Sequence, residues 1–475
     1  MSDKKTAPRL FFRVSLRAAA AVLAAIVCLY PALAGASAKY VFLFIGDGMG
    51  TAQRNAAEIF LAGKRAHEGD SATRDAQLAM NSLPVTGEML TGSLSGVTDS
   101  AAAGTALATG RKTKNGAIAT DGSGKKYKSI ASIAHENGVK VGIVTTAFLQ
   151  DATPAAFYAH SDTRGRRYEI GLELAESGFE YFAGGGFSNP NGKDKKQRGL
   201  TEAASSKGYM VTTTKAAFDA LAPGGKAIAI NPRLQSAYMP WAIDARGGDI
   251  PLDEFVKKGI DLLRGGRFFM MVEGGKIDLA CHANDAASAI QEVIAFDKAV
   301  SEALAFLSEC PDETLIVVTS DHETGGMTLS AAADDIMAFY GAMSRQAGPY
   351  SRFEGAMQQA AKYGLEKSMS KAREFFGLGA AETEAVRKAF AMTATPKKNR
   401  PAKSAEYRKL YGPYDPFTVA CMKEMNLRAG VSWDTFYHTG KLVPVSAVGA
   451  GSGAFAGSYE NTEIFTKLLE AMDLH

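Results

Sequence analysis

Tyr40-Val41-Phe42-Leu43-Phe44-Ile45 is an unbroken run of β-favouring apolar residues that ends abruptly in Gly46-Asp47-Gly48-Met49-Gly50. A strand with one wet face alternates polar and apolar residues. A run without alternation is covered on both faces, as in a parallel sheet flanked by helices. Ligands of such sheets gather beyond the carboxyl ends of the strands, where glycines let the backbone turn tightly. Asp47 therefore stands where a functional carboxylate is expected.

The same grammar recurs along the chain. Val139 to Thr146 reads as a buried strand and delivers Gln150-Asp151-Ala152-Thr153-Pro154, with Pro154 suited to the first turn of a helix. Phe268 to Val272 delivers Glu273-Gly274-Gly275-Lys276-Ile277-Asp278-Leu279-Ala280-Cys281-His282, and Thr314 to Val318 delivers Ser320-Asp321-His322-Glu323-Thr324-Gly325-Gly326. Ala227 to Ile230 and Val443 to Val448 read as further strands. Between them lie helical patterns from Ser129 to Asn137, Leu252 to Leu263 and Asn461 to Met472. The longest helix, Asp285 to Leu307, carries an apolar stripe that only Asp297 interrupts. This rhythm predicts an α/β fold with a large, mostly parallel central sheet and helices on both faces. Residues 331 to 425 depart from it: rich in Ala, Met and Lys and helical by propensity, they read as an insertion above the sheet, a lid or assembly surface. His160 and Arg164 are four apart and share a helix face if a helix continues there.

Val97-Thr98-Asp99-Ser100-Ala101-Ala102-Ala103-Gly104-Thr105-Ala106 turns from a Ser/Thr-rich loop into an Ala-rich segment. Alanine favours helix and Asp-Ser is cap chemistry, so Ser100 is expected at a helix N-terminus. Free N–H groups and partial positive charge there suit an anion and a serine that attacks it.

The 475 residues, 46% hydrophobic and 22% charged, have ample material for a core. Residues 1–38 read as a secretory leader: Lys4, Lys5, Arg9, Arg13 and Arg17 precede the apolar run Ala18 to Leu29, and small residues end at Ala38. Cleavage is expected after Ala38, with Ala34 a second candidate, giving a periplasmic or secreted protein with no stable membrane anchor. The remaining residues, 39–475, are expected to form a single catalytic domain. The formal charge of +3 becomes −1 without the leader, which carries five basic side chains and Asp3. A nucleic-acid-specific binding role loses its support. Cys281, Cys310 and Cys421 are too few for a disulfide framework and leave room for one bridge.

Of seven histidines, His282, His322 and His438 fall beside carboxylates or glycines at predicted strand or loop ends. Imidazole with carboxylate suits zinc, and Asp278 and His282 share a face if a helix starts there. Asp47, Glu273, Asp278, His282, Asp321, His322 and His438 are enough ligands for more than one divalent ion. Without cations, that many acids at one edge would repel.

Asp47 within its glycine loop, Asp99-Ser100 with the alanines, Asp151-Ala152-Thr153-Pro154, Glu273 with Asp278 and His282, Asp321-His322-Glu323-Thr324-Gly325-Gly326 and His438-Thr439-Gly440 together resemble the motifs of alkaline phosphatases, in the family's order. The resemblance implies that Ser100 is the nucleophile that becomes phosphorylated and Arg164 the phosphate clamp, with Asp99 beside it. It implies one zinc on Asp278, His282 and His438, and a second on Asp47, Asp321 and His322. A magnesium would use Asp47, Thr153 and Glu273, with Asp151 nearby. Substrates would be small phosphate monoesters, and a homodimer is one assembly open to the chain. Leu279 departs from the pattern, which places Lys or His there.

A phosphodiesterase or other phosphoryl-transfer relative with the same metal core is the nearest alternative. A sulfatase is disfavoured by the lack of a Cys-x-Pro-x-Arg-like motif. An exported binding protein retaining metals and phosphate is disfavoured by Ser100 beside complete ligand sets.

Overall fold

In the computed structural model, which describes residues 37–70, 76–121, 123–357, 360–379 and 383–474, the opening run forms β1 (Tyr40–Ile45), buried throughout. It is followed by β2 (Val85–Leu90), β3 (Lys140–Thr145), β4 (Tyr181–Gly184), β5 (Tyr209–Thr212), β6 (Lys226–Ile230), β7 (Phe268–Glu273) and β8 (Thr314–Thr319). Four short strands come next: β9 (Glu323–Thr324), β10 (Thr328–Leu329), β11 (Val431–Ser432) and β12 (His438–Thr439). The chain closes with β13 (Val443–Gly449), β14 (Gly457–Glu460) and the helix Glu463–Ala471.

One ten-stranded sheet has the order β14-β2-β13-β8-β1-β7-β3-β4-β6-β5. Within it β13 alone runs antiparallel to its neighbours, β2 and β8. The missing alternation in β1, β7 and β8 has a direct cause. Phe42, Phe44, Met270, Val272, Ile316 and Val318 enter the hydrophobic layer on one face, and Val41, Leu43, Phe269, Met271, Leu315 and Val317 enter the other. The apolar residues of these strands remove surface from water, worth about 25 cal/mol per Å2.

The Asp297 that breaks the apolar stripe of the Ala286–Glu309 helix accepts hydrogen bonds from Ala79 N and Met80 N, both at 2.9 Å, and so anchors a connecting loop. The stretch 331–425 is mostly helical where described, and its last helix, Pro416–Arg428, runs three residues beyond that boundary. It is packed onto the domain rather than poised over it. Tyr340 meets Phe60 of the Thr51–His67 helix with ring centroids 5.1 Å apart, and Asp285 accepts from Gln346 Nε2 and Tyr350 N at 2.8 Å.

The predicted leader lies outside the described residues as far as position 36. Ala38 is buried, and its N–H donates to Ala471 O at 2.7 Å. Cys281, Cys310 and Cys421 are free thiols, so the bridge left open by the cysteine count does not form.

Candidate active site

Strand register brings the acids together. Ile45 of β1 pairs with Glu273 of β7 and Thr319 of β8, and Glu273 pairs with Thr145 of β3. The strands thus end level, and Asp47 and Asp321, each two residues past its strand, start from neighbouring positions. Gly48 is required twice over. Its φ of +72° disfavours a side chain, and a Cβ there would stand 2.9 Å from Asp278 Cα. His438 arrives by another route, because β12 pairs antiparallel with β9 in a small ribbon that sets His438 opposite Thr324.

Ser100 opens the helix Ser100–Thr109, all ten residues of which are buried. Asp99 is the cap, its Oδ1 accepting from Ala102 N at 3.0 Å. Gly104 lets this helix approach Thr153, whose Cα would lie 3.2 Å from a Cβ at that position. Ser100 Oγ lies 3.3 Å from His322 Nε2.

Ligand-capable atoms of Asp47, Asp321 and His322 lie within 4.8 Å of one another, and so do those of Asp278, His322 and His438. His322 is therefore common to two triads, whereas the sequence reading placed it in one. His282 joins through Nε2, which is 3.3 Å from Asp278 Oδ2 and 3.1 Å from His438 Nε2. His282 Nδ1 lies 2.6 Å from Phe436 O, and His438 Nδ1 lies 2.8 Å from Thr98 O. Carbonyls only accept, so both Nδ1 atoms carry a proton, which leaves Nε2 of each ring as the atom a metal would take. Asp47 Oδ1 and Asp321 Oδ2 are buried without a hydrogen-bond partner among the described residues. These features fit divalent cations.

The electrostatics agree. Burial, then Asp321 and Asp278, push the Asp47 carboxyl well above its usual range. Burial and Asp151 push Glu273 up to about 8, and burial and Asp278 push Asp321 up to about 7. Burial, followed by His438 and His282, pushes the His322 imidazole down. Acids so crowded are ionised together only if positive charge enters among them.

Arg164 is held by two acids: its Nη2 donates to Asp151 Oδ1 at 3.0 Å, and its Nη1 to Asp99 Oδ2 at 3.5 Å. Asp151 caps the short helix Ala152–Ala155, which carries the buried Thr153. The shared helix face for His160 and Arg164 does not form, because that helix ends before His160. His160 is instead fixed by Glu173 Oε2 and Tyr127 O, both at 3.0 Å. Glu273 accepts from Thr145 Oγ1. Leu279 is half-buried and packs against the core.

Several residues that position the site escaped sequence reasoning. Thr324 Oγ1 donates to Asp278 Oδ1 at 2.6 Å, and Gln53 Nε2 donates to Glu323 Oε1 at 2.8 Å. Glu323 also accepts from Gly326 N, Met327 N and Thr439 Oγ1, so it ties down the loop that bears His322. Thr324 and Glu323 lay within a quoted motif. Gln53 had no signal.

The alkaline phosphatase family profile matches residues 38–180 and 187–474. The chain is 32% identical over 440 residues to alkaline phosphatase 4 of Bacillus subtilis (strain 168), covering 90% of this chain and 87% of that protein. The structure of Thermus thermophilus alkaline phosphatase superposes with a TM-score of 0.78 at 28% identity, covering 93% of this chain and 92% of that one. The cold-active alkaline phosphatase of a psychrophilic Shewanella sp. superposes with a TM-score of 0.74 at 27% identity, covering 91% and 99%. A variant of the TAB5 alkaline phosphatase, with magnesium in its M3 site, gives 0.63 at 28% identity, covering 93% of this chain and 99% of that one. Matched in sequence and in fold over nine-tenths of its length, the chain belongs to the alkaline phosphatase family and is a metal-dependent phosphomonoesterase.

Proposed function

We propose that the chain beyond its leader forms one catalytic domain, exported and released by signal cleavage, that hydrolyses small phosphate monoesters through a phosphoserine at Ser100. The observation that carries this reading is Ser100 itself: a buried hydroxyl at the first turn of a buried helix, 3.3 Å from His322 Nε2, facing the acid and imidazole cluster. The bond of Ala38 N to Ala471 O favours Ala34 over Ala38 as the cleavage point, because cutting after Ala38 discards a buried residue of the fold.

Asp278, His282 and His438 would hold one zinc, and Asp47, Asp321 and His322 a second. Asp47, Thr153 and Glu273, with Asp151 nearby, would hold magnesium. When bound, such ions supply Lewis acidity that favours the serine alkoxide and neutralises the leaving oxygen. Arg164, steadied by Asp99 and Asp151, presents its guanidinium fork to two non-bridging phosphate oxygens. The first turn of the Ser100 helix adds partial positive charge. Ser100 Oγ bonds to phosphorus as the ester oxygen departs, and water then cleaves the Oγ–P bond.

The test is turnover of a chromogenic phosphate monoester by zinc- and magnesium-loaded protein, beside Ser100→Ala, with mass spectrometry of acid-quenched protein. Wild-type turnover, a phosphate on Ser100 and an inert variant are expected. Equal rates for the two proteins would overturn the reading.

A further inference from the structure

The insertion and the His438 segment enclose a cleft of about 1070 Å3, large enough for a small organic molecule. Tyr437, next to His438 in the chain, forms part of its wall and is 52% exposed. Tyr414 lines it as well, with its ring 6.0 Å from that of Phe436, whose carbonyl fixes His282. Burial, Tyr350 and the Asp278 carboxylate push the Tyr414 hydroxyl up, as expected for a phenol close to the cluster. The cleft therefore opens beside the Asp278–His282–His438 lobe.

That location has a chemical meaning. In-line displacement sets the leaving group opposite the nucleophile. In the ligand assignment proposed above, in which His322 belongs with Asp47 and Asp321, Ser100 touches the other lobe through His322. An alcohol leaving phosphorus on the far side is thereby directed toward the cleft's side of the site.

The cleft's charges are unequal in availability. Arg400 is committed: its Nη1 is 3.6 Å from Asp415 Oδ2, and its Nε donates to Thr395 O at 2.9 Å. Glu354 is engaged with Asp415 N at 2.7 Å. Lys397 and Arg408 are exposed on the wall; Arg408 Nε donates to Ala402 O at 3.4 Å, but neither side chain forms an ion pair with a carboxylate among the described residues. Together with the Tyr414 and Tyr437 hydroxyls they offer charge and hydrogen-bond donors to an anion.

We infer that this cleft is a leaving-group subsite selecting phosphate monoesters whose alcohol carries a second anionic group, a further phosphate or a carboxylate, recognised by Lys397 and Arg408. The inference rests on the phosphomonoesterase reading above for its orientation.

The test compares fructose bisphosphate with fructose monophosphate on the metal-loaded wild type and the surface double variant K397A/R408A. The double variant is expected to lose about fivefold in kcat/KM for the bisphosphate and less than about twofold for the monophosphate. Added salt should erase the wild type's preference. An unchanged ratio of the two substrates in the variant overturns the subsite and leaves the phosphomonoesterase intact. Calorimetric binding of fructose bisphosphate to Ser100→Ala, with and without K397A/R408A, decides the subsite independently of turnover. Equal affinities overturn it. Absence of turnover of both sugars by wild type, with the binding difference present, would strike the catalytic reading alone.

Discussion

The catalytic edge and the helical insertion solve the problem of buried carboxylates in opposite ways. At the edge, register brings Asp47, Glu273 and Asp321 together, with Asp278 beyond β7, and Asp47 Oδ1 and Asp321 Oδ2 have no hydrogen-bond donor among the described residues. In the insertion, Asp415 accepts from Thr393 Oγ1 at 2.9 Å and Thr418 N at 3.1 Å and faces Arg400, while Thr383 donates to Glu424 at 2.9 Å. A region whose carboxylates find donors within the protein is built for stability. One that leaves them unsatisfied awaits something from solution.

His438→Ala tests that contrast most severely. Removing this Nε2 should cost about one bound metal ion, read by elemental analysis, and lower turnover roughly a hundredfold or more. Unchanged metal content and rate would make the edge as self-sufficient as the insertion.

Phe353→Ala probes the other side. Phe353 is buried among Phe375, Phe376 and Phe417, so its loss should cost about 3 kcal/mol in denaturant unfolding. Hydrogen exchange should place the loosening in the insertion, with turnover of a small monoester retained. Lost turnover would show that the two regions are not separable.

A pH series sharpens the difference further. In chelated protein, Glu273 with a pKa of about 8 and Asp321 with one of about 7 sit above their unfolded values. Their stabilising protonation is full below pH 4 and is lost as pH rises through 7 to 8. The chelated protein should therefore lose stability, on the order of 6 kcal/mol, between pH 5 and pH 8. Metal-loaded protein should not, because bound cations favour the ionised acids. Parallel melting curves for the two forms across that range would refute the account.

The smallest effect concerns Asp297. Asp297→Ala leaves the N–H groups of Ala79 and Met80 without their acceptor and should cost about 1 to 2 kcal/mol, with kcat unchanged. A drop in kcat would tie this loop to the edge.

What could be read in advance follows the same division. β1, β7 and β8 were legible because burial on both faces leaves an unmistakable apolar run, and the acids after them were legible because strand ends carry ligands in such sheets. The antiparallel sense of β13 was not, since a buried strand looks alike in either direction. β2 was missed because most of its residues stay partly or fully exposed and its composition is mixed. Arg164 reached its place through tertiary contacts with Asp99 and Asp151 rather than through the helix that its spacing from His160 suggested. Thr324 and Gln53 act through bonds to residues distant in sequence, which no local pattern encodes.

The bond between Ala38 N and Ala471 O also makes the two ends of the folded domain neighbours in space. Domains whose ends meet tolerate circular permutation at exposed loop tips. A short linker from Leu474 back to Ser37, with new ends opened at the exposed Gly247-Gly248 turn, should yield a rearranged chain with the same sheet order and the same catalytic edge.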